Sequence, residues 1–213
     1  MANALVLDFD GTLMDTEPLH DAALLEILTC AGVHATKEEL LKTSGVGIKG
    51  TMEHYEKLNK GKKIDWKQLT KEFYDSLLPS TLKAKPFEGV PQAVKELAER
   101  FPLAIASNNH EPVIRAGLKK NNLEQYFQTI IAWEDCVKRK PEPEPYLRAC
   151  KALGFAPQQC AAVEDSPTGL QSALSAGCRV IAFTSRNPPQ KELQVAYSTN
   201  SFYDITPELV AKL

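Results

Sequence analysis

The sequence has no excess of either charge, no long apolar run and no paired cysteines. Lysine and arginine number 25 against 27 aspartates and glutamates, a formal net charge of -2. That balance leaves no broad basic field to draw nucleic acid or an anionic membrane, so neither is expected as a partner. The five cysteines, Cys30, Cys136, Cys150, Cys160 and Cys178, are odd in number, scattered, and form no C-x-x-C pair. That spacing fits neither a disulfide framework nor a zinc site, and it suits a reducing compartment. No apolar stretch approaches the ~20 residues that cross a bilayer. The N-terminal apolar run meets Asp8 early and has no basic region ahead of it, unlike a signal peptide. A cytoplasmic protein, taken as a monomer, is the expectation.

What is present is ordinary for a globular chain: 213 residues, 43% hydrophobic and 24% charged. That length suits one good-sized domain, or a core domain carrying a smaller insert. The opening stretch, Leu5-Val6-Leu7-Asp8-Phe9-Asp10-Gly11-Thr12-Leu13, runs from an apolar strand into two acids and a turn. Acids in so apolar a setting need compensation, and a divalent cation is the usual one.

Between this strand and Pro86 the chain reads as helix. Pro18 to Ala31 is rich in Leu, Ala and Ile, with Gly32 placed to end it. Thr36 and Glu39 form a capping-box pattern over Lys37 to Lys42. Three glycines between Ser44 and Gly50 interrupt the pattern, which resumes over Thr51 to Leu58. Asp65 with Gln68 caps a further helix to about Leu82.

From Pro86 helices alternate with short apolar strands. The strands are Leu103 to Ala106, Thr129 to Ala132, Ala161 to Val163 and Arg179 to Phe183. The helices are Gly89 to Arg100, Glu111 to Lys120, Pro143 to Leu153 and Pro167 to Ala176, with Thr206 to Leu213 at the end. Pro188-Pro189 marks a loop. Such alternation predicts a parallel sheet covered on both faces.

Polar groups follow three strand ends: Asp8 and Asp10, Ser107 and Asn108, Glu164 and Asp165. Ligands of open α/β sheets bind outside the carboxyl ends of strands, so three distant segments converge on one crevice. Each group also has a plainer reading. A lone D-x-D serves turns and caps, Ser107 and Asn108 suit a helix N-cap, and Glu164-Asp165-Ser166 suits a helix start. The caps do not explain why two strand ends carry acidic pairs, which repel strongly without a cation.

In this order and spacing the motifs resemble those of the haloacid dehalogenase-like superfamily. Asp8-Phe9-Asp10-Gly11-Thr12-Leu13-Met14-Asp15-Thr16-Glu17 is similar to its first motif and Ser107-Asn108 to its second. Lys140-Pro141-Glu142-Pro143-Glu144-Pro145-Tyr146 is similar to the third, and Glu164-Asp165-Ser166-Pro167-Thr168-Gly169 to the fourth. The helical insert resembles the bundle cap of the beta-phosphoglucomutase-like phosphatase branch. The resemblance implies a Rossmann-like α/β core of residues 1–15 and 83–213 and a helical cap of residues 16–82.

It further implies a phosphatase acting on a small-molecule phosphate ester, a sugar phosphate or similar monoester. Asp8 would be the nucleophile, forming an aspartyl phosphate, and Asp10 the general acid and base. Mg²⁺ would bind the Asp8 carboxylate, the Asp10 backbone carbonyl and the Asp165 carboxylate. Glu164 would assist directly or from behind the ligands. Ser107, the backbone around Asn108, and Lys140 would hold the phosphoryl oxygens. Lys140 is preferred over Lys138 and Arg139 for its Pro-x-Pro context. Glu144 stands where many relatives carry Asp, and the loop ahead of Lys140 is a residue shorter than usual. No lysine lies between Glu17 and Ala31, where the phosphonatase branch has its Schiff-base residue.

Within the cap, Glu17, His20 and the loop from Gly45 to Lys49 are candidates for substrate contact. His20 also reads as an ordinary polar residue of a helix, and Lys49 as a solvated side chain. A phosphosugar mutase would share every core residue, but no clamp for a second phosphate is evident. A catalytically silent phosphate sensor would need neither the nucleophile nor the acid.

Overall fold

A computed structural model describes residues 1–43, 47–186 and 192–213. Along the chain β1 (Ala4–Leu7) is followed by α1 (Glu17–Cys30), α2 (Lys37–Leu41), α3 (Gly47–Leu58) and α4 (Trp66–Lys83). Then come α5 (Val90–Ala98), β2 (Leu103–Ala106), α6 (Glu111–Lys120), β3 (Phe127–Ile131) and α7 (Glu144–Leu153). The chain ends with β4 (Cys160–Glu164), α8 (Pro167–Ala176), β5 (Arg179–Phe183), β6 (Tyr197–Thr199) and α9 (Pro207–Lys212). Two compact units result: Met1–Asp15 with Lys85–Leu213, and Thr16–Ala84.

The first unit holds one sheet of six parallel strands in the order β3-β2-β1-β4-β5-β6. It is an α/β, Rossmann-like fold. β1 lies between β2 and β4, with Leu7 opposite both Ile105 and Val163. Strand order reverses there, which is where such sheets open a crevice at their carboxyl ends. The central strands read as unbroken apolar runs because both faces are covered: all residues of β1, β2 and β4 are buried. On one face Val6, Ala104 and Ala162 share a core with Tyr146 and Ala149 of α7 and Leu170 and Ala173 of α8. Small alanines on the strands let these helices lie close.

The helical unit contains α1 to α4. Leu24 and Leu28 of α1 are buried, as are Leu69, Phe73 and Leu77 of α4. Both N-caps form: Thr36 Oγ1 accepts from the Glu39 N–H at 3.2 Å, and Asp65 Oδ1 from the Gln68 N–H at 2.9 Å, but the Glu39 carboxylate turns to Lys42 and His54, so the capping box is only half made. One boundary differs. α3 begins at Gly47 rather than Thr51, so Lys49 sits on a helix instead of a glycine loop. Two glycines of low helix propensity hid that start. Gly45, Val46 and Pro188-Pro189 lie outside the described residues. Among the described residues, no helix is long and apolar enough to cross a membrane.

Candidate active site

The crevice-forming end of β1 is shaped by a tight turn. The Asp8 N–H still donates to Val163 O at 3.0 Å, which holds Asp8 against the end of β4. Beyond it the Leu13 and Met14 N–H groups return to Phe9 O, at 3.0 and 2.9 Å. Gly11 within this turn has φ +75, and a Cβ there would lie 2.4 Å from Asp165 Oδ2. Only glycine meets both demands, the backbone angle and the close approach. The turn also aims Thr12, whose hydroxyl donates to Asp165 Oδ1 at 2.9 Å.

Asp8, Glu164 and Asp165 are buried, and each offers an oxygen within 4.8 Å of the others. A buried ammonium faces Asp8 and Glu164. Lys140 Nζ donates to Asp8 Oδ1 at 2.6 Å and also to Glu164 Oε1. Its side chain is 4% exposed. Burial works against the lysine's charge, but the Asp8 and Glu164 carboxylates outweigh it and raise its pKa above the usual range. Asp8 is raised as well, which for an acid disfavours the charged form: burial, then the Glu164 charge, lift it to about 8 against the pull of Lys140.

Glu164 is fully engaged. Its Oε2 accepts from the N–H groups of Asp165 and Ser166, at 2.9 and 3.0 Å, and from the Ser166 hydroxyl at 3.1 Å. Its Oε1 accepts from Lys140 and, at 3.1 Å, from the buried Tyr146 hydroxyl. A carboxylate has about four lone-pair sites, and these five donors occupy them. The fit is tight enough that a Cβ on Gly169 would lie 1.7 Å from Glu164 Oε1. Ser166 then caps α8, accepting from the Gly169 N–H at 3.0 Å.

The end of β2 supplies the remaining groups. The Ser107 N–H donates to Ile131 O at 2.9 Å, and its Oγ accepts from the Asn109 N–H at 3.1 Å. Ser107 is therefore a turn residue and not the N-cap of α6, a position held by His110. The Asn108 side chain pairs with the main chain of Lys140: its Oδ1 accepts from the Lys140 N–H at 3.2 Å and its Nδ2 donates to Lys140 O at 3.4 Å. Asn108 is exposed, so its side chain secures the lysine loop from outside. Asp10 receives the Asn109 amide at Oδ2, 2.8 Å away.

Thus Asp8, Lys140 and Glu164 are joined directly, Asp165 through Thr12, and Asp10 through Asn109 to the Ser107 turn. Glu17, His20 and Lys49 belong to the helical unit. Glu17 opens α1. The His20 ring meets Phe73 edge-on at 6.2 Å, and its buried Nε2 has no hydrogen-bond partner among the described residues. Lys49 is exposed and pairs with Glu53 at 3.8 Å. Thr12, Tyr146 and Asn109 are site-forming residues that sequence reasoning did not single out. Each lies inside or beside a quoted motif, but nothing in residue type or spacing marks its contact.

The whole chain can now be set beside known proteins. Residues 5–183 match the haloacid dehalogenase-like hydrolase family. The chain belongs to that family. Among haloacid dehalogenase-like relatives, protein CbbY of Rhodobacter capsulatus is 34% identical over 84% of this chain and 83% of its own. A phosphorylated carbohydrates phosphatase of Thermotoga maritima is 30% identical over 82% of this chain and 81% of its own. The crystal structure of a HAD hydrolase, family IA, variant 3, from Entamoeba histolytica superposes with TM-score 0.82 at 28% identity, covering 100% of this chain and 98% of that one. By family and by these relatives the protein is an enzyme of the phosphoric monoester hydrolase class.

Proposed function

We propose that the protein is a Mg²⁺-dependent phosphatase of a small phosphorylated metabolite, a sugar phosphate or similar monoester, working through an aspartyl phosphate on Asp8. The observation that carries this reading is the buried Asp8–Lys140–Glu164 bridge beside Asp165. Three buried acids lie within 4.8 Å of one another beside Lys140, and such an all-oxygen donor set suits a hard divalent cation. Asp8, Asp165 and the Asp10 carbonyl would hold Mg²⁺; with its five donors, Glu164 orients Lys140 and the turn instead. When bound, the ion supplies the charge neutralisation that brings an anionic ester to an anionic nucleophile.

Asp8 attacks phosphorus, and the bond from phosphorus to the leaving oxygen breaks as the new one forms. Lys140, the Ser107 hydroxyl and the backbone at Asn108 hold the phosphoryl oxygens. Asp10 gives its proton to the leaving alkoxide, then takes one from the water that cleaves the aspartyl phosphate. Selection of the leaving group is assigned to the helical unit, with Glu17, His20 and Lys49 as its candidate contacts. The relative from Thermotoga maritima is named for phosphorylated carbohydrates, which supports a sugar ester here.

A metal-dependent screen over a broad set of phosphate esters tests the reading. The wild type should release inorganic phosphate from at least one sugar phosphate, EDTA should abolish turnover, and Mg²⁺ should restore it. Asp8→Asn should lose turnover by about 10⁴-fold or more. Substantial activity of that variant overturns the nucleophile, and EDTA-insensitive turnover overturns the metal. Isomer formation without phosphate release would make the enzyme a mutase.

A further inference from the structure

Tyr146 follows Lys140 in the first turn of α7 and is completely buried. Its hydroxyl donates to Glu164 Oε1 at 3.1 Å, the same oxygen that accepts from Lys140 Nζ. That Nζ sits over the Tyr146 ring, 5.2 Å from its centroid, where the π face attracts a cation. The segment joining the two residues is pinned along its length. The Asn108 side chain holds the main chain of Lys140, the Ser172 hydroxyl donates to Glu142 O at 2.6 Å, and the Glu144 carboxylate accepts from the Val137 and Lys138 N–H groups. What this frame does not fix is the lysine side chain, a point charge on a flexible four-carbon stem. Three groups settle its end: Asp8, Glu164 and the Tyr146 ring.

We propose that Tyr146 is the positioning residue of Lys140: its hydroxyl fixes the Glu164 oxygen that takes the ammonium, and its ring walls the ammonium in, so that one N–H is left for a phosphoryl oxygen. This rests on the reading of Asp8 as nucleophile and Lys140 as phosphoryl holder given above. An ammonium has three donors and no acceptor. Two go to Asp8 Oδ1 and Glu164 Oε1, which leaves the third for the ester. The two anchors differ in permanence. Asp8 gives an electron pair to phosphorus and regains it when water cleaves the aspartyl phosphate, so its hold on the lysine changes between the half-reactions. Glu164 makes and breaks no bond to phosphorus. Its Oε2 is pinned by the Asp165 and Ser166 N–H groups and the Ser166 hydroxyl. One pinned oxygen still lets a carboxylate pivot, and Tyr146 supplies the second fixed point, at Oε1. The tyrosine can do so because it shares the core with Val6, Ala162 and Leu170 and takes no part in the chemistry.

A double-mutant cycle tests this. Tyr146→Phe keeps the ring and removes only the hydroxyl. It is measured alone and combined with Lys140→Met, in Mg²⁺, with two readouts: kcat on the best-hydrolysed ester of the screen, and the Kd of inorganic phosphate by calorimetry. Circular dichroism checks the fold. Tyr146→Met, whose flexible chain fills irregular space, and Lys140→Gln stand in for a variant that does not fold. With Lys140 in place, Tyr146→Phe should lower kcat and weaken phosphate binding by about 10-fold each, the worth of one hydrogen bond to a charged acceptor. In the Lys140→Met background the same change should move neither by more than about twofold, because the residue it positions is gone. Equal losses in both backgrounds would make Tyr146 a packing residue and overturn the proposal, as would no loss with Lys140 in place. Wild-type kcat and phosphate affinity in Lys140→Met itself would overturn the reading of Lys140, and the role of Tyr146 with it.

Discussion

Lys140 is one ammonium set between two buried carboxylates, with a third carboxylate within 4.8 Å of both. Removing one partner of a buried ion pair costs about 3–5 kcal/mol, because the abandoned charges stay out of water. Lys140→Met should therefore destabilise the metal-free protein by about 3 kcal/mol or more in urea titrations, and lower turnover by about 10²–10³-fold. An unchanged midpoint would mean that the acids do not depend on this lysine. The ion pair of Arg115 with Glu111, about two-fifths exposed on both sides, should cost under about 1 kcal/mol when broken. The prolines around Lys140 set it apart from its two basic neighbours in the sequence, and in the structure Lys140 is the one of the three that pairs with Asp8 and Glu164. Lys138 is exposed, and the Arg139 guanidinium lies over the Trp133 ring at 3.5 Å. Glu144 accepts from the Val137 and Lys138 N–H groups and from Arg148, so the longer acid at this position braces the loop that delivers Lys140.

At the scale of elements, the start of α8 combines two constraints at Gly169. The Ser166 cap uses its N–H, and Glu164 occupies the space a side chain would fill. Gly169→Ala should cost roughly 2–3 kcal/mol by overpacking and should also reduce turnover by displacing Glu164 from Lys140. Gly154→Ala is the control: Gly154 has φ +82 with nothing within 4 Å of a built Cβ, so about 1–2 kcal/mol of backbone strain and no loss of turnover is expected. Equal effects of the two on thermal unfolding and on rate would refute the steric argument. Elements whose burial is complete were legible, because a strand covered on both faces must be apolar throughout. β2, β5, α6 and α8 have the boundaries their sequences predict. β6 gave no such signal: Tyr197-Ser198-Thr199 is a polar edge strand with only Thr199 buried. Ser107 misled in another way, since a serine before a helix reads as an N-cap, yet its oxygen closes a turn onto Asn109. The Asn109–Asp10 contact joins residues 99 apart in sequence, and no local pattern encodes it.

At the scale of the molecule, the buried acids tie stability to pH and to cation. Without a cation, burial and then Glu164 raise Asp8 from 3.8 to about 8. The folded chain thus keeps a proton that the unfolded chain releases above about pH 4. The stability from this proton is complete below that pH and is lost as pH rises to about 8. Lys140, raised above its usual range, stays charged across this window and adds no slope to it. The shift from 3.8 to about 8 sets a ceiling of roughly 6 kcal/mol at about 1.4 kcal/mol per unit. Asp8→Asn, neutral at every pH, lacks this dependence. In EDTA its stability relative to wild type should rise between pH 5 and pH 8, by an amount on the order of a few kcal/mol, as measured by urea unfolding at each pH. Millimolar Mg²⁺ at pH 8 should then stabilise the wild type, by binding the ionised form of Asp8, and leave Asp8→Asn nearly unmoved. Parallel pH curves for the two proteins would refute the raised Asp8, and equal stabilisation of both by Mg²⁺ would place the cation away from Asp8.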